Sequence, residues 1–405
     1  MRAMRAPFEV NCGASRHPKP AVGNRTEPTL LLISRRAFYP VHAAVLRALA
    51  TTYEVSVAVL GAEEQELPDV HRSLGWVTPD ELREWGIRVE LLPPSGADWA
   101  DDAAAIRNCL AGVDPDAVWV QEEPVDLIAL EVLAAYRRQR ERPRIGCAVC
   151  ENIFQRGDLR TRLRRRHLWP RLDVLLPVAQ ASLAGVRAVG MPRSIASAEL
   201  VAGIDAPTDL LLRAPRSGVS DFRIGFVGRL VPEKGWADVL AALVELPGTS
   251  AAFAGDGPDR DALVAALAQP SLGGRAAWEG LLAKDDLWNF YRSLDCLVVP
   301  SRTTATWKEQ FGAVIADAFA VGVPVVAFDS GAIAEVVGDA GIVVPEGDVE
   351  ALTAALARVR DERHLREQLA TAGRARYETE FSINAYAGKI AAAYGLRRRS
   401  SAGVA

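Results

Sequence analysis

Four charged residues in the second half of this 405-residue chain have types and spacing that suit chemistry: Arg229, Lys234, Glu309 and Asp317. The first two lie in IGFVGRLVPEKGWADVL, which reads as strand, glycine turn and helix. Gly225 and Gly228 are expected to admit close backbone approach there, and Arg229 and Lys234 set two cations at the mouth of the turn. Such a pair suits a diphosphate, because cationic donors stabilise charge that develops on a phosphate oxygen. A tight turn with solvated charges is the plainer reading of the same residues.

Glu309 immediately precedes the stretch QFGAVIADAFAVGVPVVAF, in which Asp317 interrupts an otherwise apolar run. An ionised carboxylate inside apolar surroundings is costly unless something compensates it. The pattern predicts a helix from Phe311 to Val321 starting at Gly312, whose opening amides at Phe311, Gly312, Ala313 and Val314 offer an anion site. Glu309 precedes that helix and Asp317 lies about 7 Å along it, at roughly 1.5 Å per residue. A sugar nucleotide with its diphosphate at the helix start would bring its sugar to Glu309 and its ribose hydroxyls to Asp317. An arginine partner within the domain is the alternative compensation for Asp317.

Asp256, in AFAGDGPDRDAL, ends the next strand. An acid near that place holds a ribose in dinucleotide-dependent oxidoreductases, which supplies an alternative function. The turn GFVGRL lacks the GxGxxG that such a site requires.

The elements that position these residues repeat. From Thr29, short apolar runs (TLLLIS, EVSVAVL, IRVELLP, DAVWVQ, RIGCAV, DVLLPV) alternate with amphipathic stretches such as PVHAAVLRALATT. A second series follows from Phe222: FRIGFVG, SAAFAGDG, AAWEGLL, CLVVPS, PVVAFDS and GIVVPEG. This is an α/β pattern of βα units building parallel sheets. Two doubly wound, Rossmann-like domains are expected, over residues 29–203 and 204–383, with the aperiodic DAPTDLLLRAPRSGVSD at their junction. Residues 1–28 and 398–405 read as disordered ends, and 384–397 as a helix crossing back to the first domain. Ligands of such sheets bind at the carboxyl ends of the strands, so the site is expected between the domains.

Composition excludes little but is useful. A net charge of −4, with 49% apolar and 24% charged residues, gives no sign of a nucleic-acid partner. Cys147 and Cys150 in CAVC have redox or zinc spacing, yet they lie in a strand-like run without further ligands and read as strand residues. With no long apolar run or signal peptide, a cytoplasmic setting is expected. The run DLRTRLRRRHLWPRLD mixes arginines with Leu163, Leu168 and Trp169, so the stretch 156–171 is a candidate for peripheral contact with the inner membrane face or a solvated basic helix.

Taken in order, GRLVPEKG, AGDGP, EGL before DDLWNFYRSLDCLVVPS, EQFGAVIAD and DSGAIAEVVGDAGIVVPEGDVEAL resemble the retaining glycosyltransferases of family GT4, the glycosyl transferases group 1, which have the GT-B fold. The resemblance implies that Gly228, Arg229 and Lys234 hold the donor diphosphate, that Glu309 contacts the donor sugar and that Asp317 contacts the ribose. It places Leu281 near the base through its backbone and Glu335 near the site. It implies a retaining, metal-independent transfer from a nucleoside-diphosphate sugar to an acceptor hydroxyl, with no cofactor and no protein nucleophile. A catalytically silent sugar-nucleotide binder is the other function carried forward. The chain departs from the family pattern in having Asp at 317 where Glu is usual and a longer loop, PSRTTATWKEQFG. In the first domain SRRAFYP and CENIFQ stand where the family often has a glycine pair and a histidine. Arg35 and Arg36 are candidates for the phosphates or an anionic acceptor, and Glu151 and Asn152 for the acceptor side.

Overall fold

The computed structural model describes residues 27–35, 39–60, 76–92, 99–139, 141–154, 157–198, 202–207 and 222–396. Arg36, Arg156, both chain ends and most of the interdomain segment lie outside them.

The first domain carries β1 (Thr29–Ser34), β2 (Glu54–Leu60), β3 (Arg88–Leu92), β4 (Ala117–Val120), β5 (Arg144–Val149), β6 (Val174–Pro177) and a short β7 (Ala196–Ser197). They pair in the order β3-β2-β1-β4-β5-β6-β7, parallel throughout. Between them run α1 (Pro40–Ala50), α2 (Pro79–Glu84), α3 (Trp99–Val113), α4 (Leu127–Ala135), α5 (Leu159–Leu168) and α6 (Gln180–Ala188). Leu31 and Ile33 of β1 face one core while Leu30 and Leu32 face the other. A strand covered on both faces must be apolar throughout, which explains the unbroken TLLLIS.

The second domain repeats the plan with β8 (Phe222–Val227), β9 (Thr249–Ala254), β10 (Ala276–Gly280), β11 (Cys296–Val299), β12 (Val325–Phe328) and β13 (Gly341–Val344). Their order is β10-β9-β8-β11-β12-β13, again parallel. Its helices are α7 (Trp236–Val244), α8 (Arg260–Leu267), α9 (Lys284–Ser293), α10 (Ala313–Ala320), α11 (Ile333–Val337), α12 (Val349–Asp361) and α13 (Arg363–Arg376). In each sheet the order reverses beside the first strand, between β1 and β4 and between β8 and β11. That reversal opens a crevice at the strands' carboxyl ends.

The last helix, α14 (Ile383–Tyr394), lies on the first domain. Tyr386, Ile390 and Tyr394 join the core on the α1 side of the sheet, and Tyr394 OH donates to the Val118 carbonyl (3.1 Å). The described part of the interdomain segment, residues 202–207, meets the returning chain: Ile204 bridges Ser382, and Ile204 N–H donates to the Phe381 carbonyl (2.8 Å).

The twelve strands expected from the apolar runs are present, and the two-residue β7 is an addition too short to leave a pattern. Cys147 is buried in β5 and Cys150 follows it, both as thiols. Among the described residues no helix is long and apolar enough to cross a membrane.

Candidate active site

The crevice between β8 and β11 is built by the turns that leave these two strands. After β8 come Gly228 and Arg229. Gly255, at the end of β9, has φ +131°, and a Cβ there would collide with the Gly228 carbonyl. Only glycine lets the GDG turn pack onto the GR turn, and Leu230 N–H then donates to the Asp256 carbonyl (2.9 Å). A Cβ at Gly228 would meet nothing nearer than the Phe226 ring at 3.5 Å, so its open side faces the crevice. Gly225 is different, and the expectation of ligand approach there is corrected. It lies in β8 where a side chain would collide with Leu294, so its smallness serves packing.

Lys234 and Glu309 meet in this crevice. Lys234 closes the short 3-10 turn Pro232–Lys234, and its Nζ lies 2.7 Å from Glu309 Oε2. Ser301 Oγ donates to the same oxygen at 2.9 Å. Glu309 is 7% exposed, so these two donors keep a buried carboxylate satisfied. Trp307 adds a third contact: Lys234 Nζ stands 4.7 Å from its ring centroid, within cation–π range. The long PSRTTATWKEQFG loop therefore has structure of its own. Thr304 Oγ1 accepts from Trp307 N–H (3.0 Å), Thr303 Oγ1 donates to Glu346 (2.7 Å), and Arg302 forks onto both Asp238 oxygens (2.7 Å each). Arg229 is more open by comparison, with its side chain 62% exposed and 3.4 Å from Glu233.

The helix over this loop starts later than expected. Gly312 is left-handed (φ +78°, ψ +58°) and caps α10, which begins at Ala313 and ends at Ala320. Phe311 precedes the helix and packs edge-on against Phe381. The expected anion site at the helix start thus narrows to Gly312, Ala313 and Val314.

Asp317, on α10, is held by a tyrosine and, among the described residues, not by an arginine. Tyr291 OH of α9 donates to its Oδ2 (3.0 Å). Burial pushes the Asp317 carboxyl up to about 7, only partly offset by the tyrosine and by Lys284. One neutral donor satisfies one oxygen and leaves acceptor capacity on the other.

Two expected residues reach across the cleft. Asn152, buried just beyond β5, donates through Nδ2 to the Glu309 carbonyl (3.0 Å). Glu335 of α11 accepts from the Gln180 N–H at the start of α6 (2.7 Å). The others stand apart. Asp256 is exposed and accepts from Gly257 N–H (2.8 Å), and Leu281 is 58% exposed. Arg35 turns onto its own domain, 3.8 Å from Glu122 and 3.5 Å from Asp126. Glu151 is exposed, and its N–H donates to Glu123 (2.8 Å). Arg36 lies outside the described residues.

Sequence reasoning missed Tyr291, Ser301 and Glu123; Trp307 was expected beside the sugar site as part of the longer loop, without its contact to Lys234. Glu123 Oε1 also accepts from the Cys150 N–H (2.7 Å), so it shapes the turn that presents Asn152. Burial raises its carboxyl to about 7. Ser301 and Trp307 flank Glu309 in sequence, but nothing local marks Tyr291 or Glu123 as partners.

Two facing Rossmann-like domains with a charged crevice between them define the GT-B architecture. Residues 212–376, most of the second domain, match the family model for glycosyl transferases group 1. A 2-deoxystreptamine glucosyltransferase of Streptomyces kanamyceticus is 32% identical over 177 residues, covering 42% of this chain and 44% of that protein. A glycogen synthase of Mycobacterium tuberculosis is 32% identical over 204 residues, 49% of this chain and 48% of that one. The chain thus spans less than half the length of these curated relatives. Among solved structures, Anabaena HepE in complex with UDP superposes with TM-score 0.69 at 18% identity, over 90% of this chain and 98% of that chain. A glycosyltransferase from Rickettsia africae gives TM-score 0.69 at 14% identity, over 91% and 98%. At these identities the likeness is one of fold.

Proposed function

We propose that the chain is a retaining glycosyltransferase that moves a sugar from a nucleoside diphosphate to an acceptor hydroxyl. The observation that carries this reading is the Lys234–Glu309 pair in the crevice between β8 and β11, next to Arg229 and the start of α10. In the proposed step the bond from the anomeric carbon to the diphosphate oxygen breaks, and a bond from that carbon to the acceptor oxygen forms on the same face. The acceptor proton passes to the departing diphosphate, so no protein nucleophile is needed. Arg229, Lys234 and the dipole at Ala313 and Val314 stabilise the leaving charge. Glu309, held by Lys234 and Ser301, orients the donor sugar, and the free acceptor capacity of Asp317 takes ribose hydroxyls.

UDP is the first nucleotide to test, since HepE, which shares the fold, was solved with it. Thermal shift with UDP, GDP and ADP, followed by slow hydrolysis of the sugar of whichever binds, tests the reading. Binding without hydrolysis or transfer would identify a silent sugar-nucleotide binder, and no binding to any would overturn the site.

We further propose a cytoplasmic enzyme that touches an anionic membrane through α5. Leu159 and Leu163, one helical turn apart, are 66% and 59% exposed amid arginines, and the helix stops at Leu168 before Pro170. Cosedimentation with phosphatidylglycerol vesicles but not phosphatidylcholine vesicles supports this. Equal behaviour with both refutes it.

A further inference from the structure

The long loop between β11 and α10 is fastened along its length to the turn that carries Lys234 and to the turns beyond β12 and β13. Its start packs on the lysine turn, since a Cβ at Gly235 (φ +71°) would collide with the Pro300 carbonyl. Arg302 N–H donates to the carbonyl of Glu233, the neighbour of Lys234 (2.8 Å). Thr303 gives both its N–H (2.6 Å) and its hydroxyl (2.7 Å) to the Glu346 carboxylate. Thr304 then closes a tight turn: its N–H donates to the Trp307 carbonyl (2.7 Å) and its Oγ1 accepts from the Trp307 N–H (3.0 Å). At the far end a Cβ at Gly331 (φ +61°) would collide with the Glu309 carbonyl. The backbone of Trp307 is thereby held relative to Lys234 by contacts that do not involve the ammonium itself.

The consequence falls on that ammonium, which has three N–H donors. Glu309 Oε2 takes one at 2.7 Å, and the Trp307 ring, 4.7 Å from Nζ, covers another side. Lys234 keeps 25% of its side chain exposed, so donor capacity remains for an incoming anion. A lysine ammonium is a strongly hydrated point charge on a flexible stem. Glu309 alone fixes its distance from one oxygen but not its direction, whereas the ring fixes a second side and displaces water from it. A cation already placed and partly stripped of water stabilises a departing phosphate oxygen without reorganising as the bond breaks.

We propose that Trp307 is a positioning residue for the transfer, acting through Lys234 by holding its ammonium toward the diphosphate, and that the lengthened loop serves to bring the ring there. This rests on the glycosyltransferase reading and assigns a role within that site.

The variants are Trp307→Leu, which keeps apolar cover and removes the π face, and Trp307→Phe, which keeps a weaker one. The probes are UDP and uridine, or the GDP or ADP pair if that nucleotide is the one bound, with hydrolysis of the matching glucose donor as turnover. Trp307→Leu should weaken the diphosphate and slow turnover, each about tenfold, and Trp307→Phe should do so less. Uridine, which has no phosphate for Lys234, should bind all three proteins alike, and melts should show the variants folded. In a Lys234→Ala background Trp307→Leu should have no further effect on UDP affinity. Unchanged UDP affinity and turnover in Trp307→Leu, uridine weakened as much as UDP, or losses that add in the double variant each overturn the proposal, while UDP binding itself upholds the donor site. Inorganic pyrophosphate separates the two readings. If no nucleoside diphosphate binds the wild type but pyrophosphate does, and Trp307→Leu weakens it, the nucleotide donor is overturned and the hold of Trp307 on Lys234 is supported. If pyrophosphate also fails to bind, or binds both proteins equally, both readings fall.

Discussion

Asn152 of the first domain donates a hydrogen bond to the backbone carbonyl of Glu309 in the second, at 3.0 Å. The side chain of that same glutamate is held by Lys234 and Ser301. The position of the Glu309 carboxylate is therefore set jointly by both domains, through a turn that Glu123 shapes. Asn152→Ala removes one neutral hydrogen bond, worth about 0.5–1.5 kcal/mol. It should lower kcat up to about tenfold and leave the Kd for UDP unchanged, by steady-state kinetics and calorimetry.

Arg229 and Lys234 share a proposed role but not a structural setting. Arg229→Ala should cut turnover about a hundredfold or more with no change in melting temperature, because the side chain is largely exposed and one charge donor at a developing anion contributes roughly 3 kcal/mol. Lys234→Ala should cut turnover as far and also destabilise the fold, by about 1–3 kcal/mol, because it leaves the buried Glu309 short of its cation. Adding Glu309→Gln to Lys234→Ala should recover most of that stability and none of the activity. Denaturant melts of the two single variants and the double variant close this cycle.

If Arg229 and Lys234 neutralise the leaving group as proposed, turnover should persist in excess EDTA. Loss of activity in EDTA, with recovery on adding Mg²⁺ or Mn²⁺, would show that the two cations are not sufficient.

Asp317 titrates near neutrality because burial raises its carboxyl to about 7. A carboxyl raised on folding holds a proton in the native state that the unfolded chain has already released. Its contribution to stability is thus fully present below about pH 4 and is lost as pH rises toward about 7. Asp317→Asn should flatten this fall and leave the protein as stable as wild type, or more so, at pH 8, since an amide oxygen can still accept from Tyr291. If ribose hydroxyls donate to the ionised form, UDP affinity should rise through about pH 7 in the wild type. In Asp317→Asn it should be about ten- to a hundredfold weaker and flat with pH. A large stability loss with unchanged affinity would remove Asp317 from the site.

Much of this architecture was legible because parallel strands covered on both faces must be apolar along their length, as in TLLLIS and CLVV, and such runs are countable. Arg229, Lys234 and Glu309 were readable as chemistry because each sits in a turn next to glycine or after a strand. What the sequence could not show were partners set by packing at long range: Tyr291 reaches Asp317 because α9 lies against α10, and Glu123 reaches the Cys150 turn because β4 lies beside β5. The start of α10 was misplaced by one residue for a local reason. The pattern marks Gly312 as the helix start but does not reveal that its φ is positive, which makes it the cap.

The Ile204 N–H bond to the Phe381 carbonyl, beside the bridge to Ser382, ties residues 202–207 to the returning chain, so neither can slide along the other without breaking it. Asn152 at the Glu309 carbonyl and Gln180 at the Glu335 carboxylate are two further ties between the domains. Three hydrogen bonds from three separate stretches of chain specify one register of the domains, where any one of them alone would leave them free to pivot.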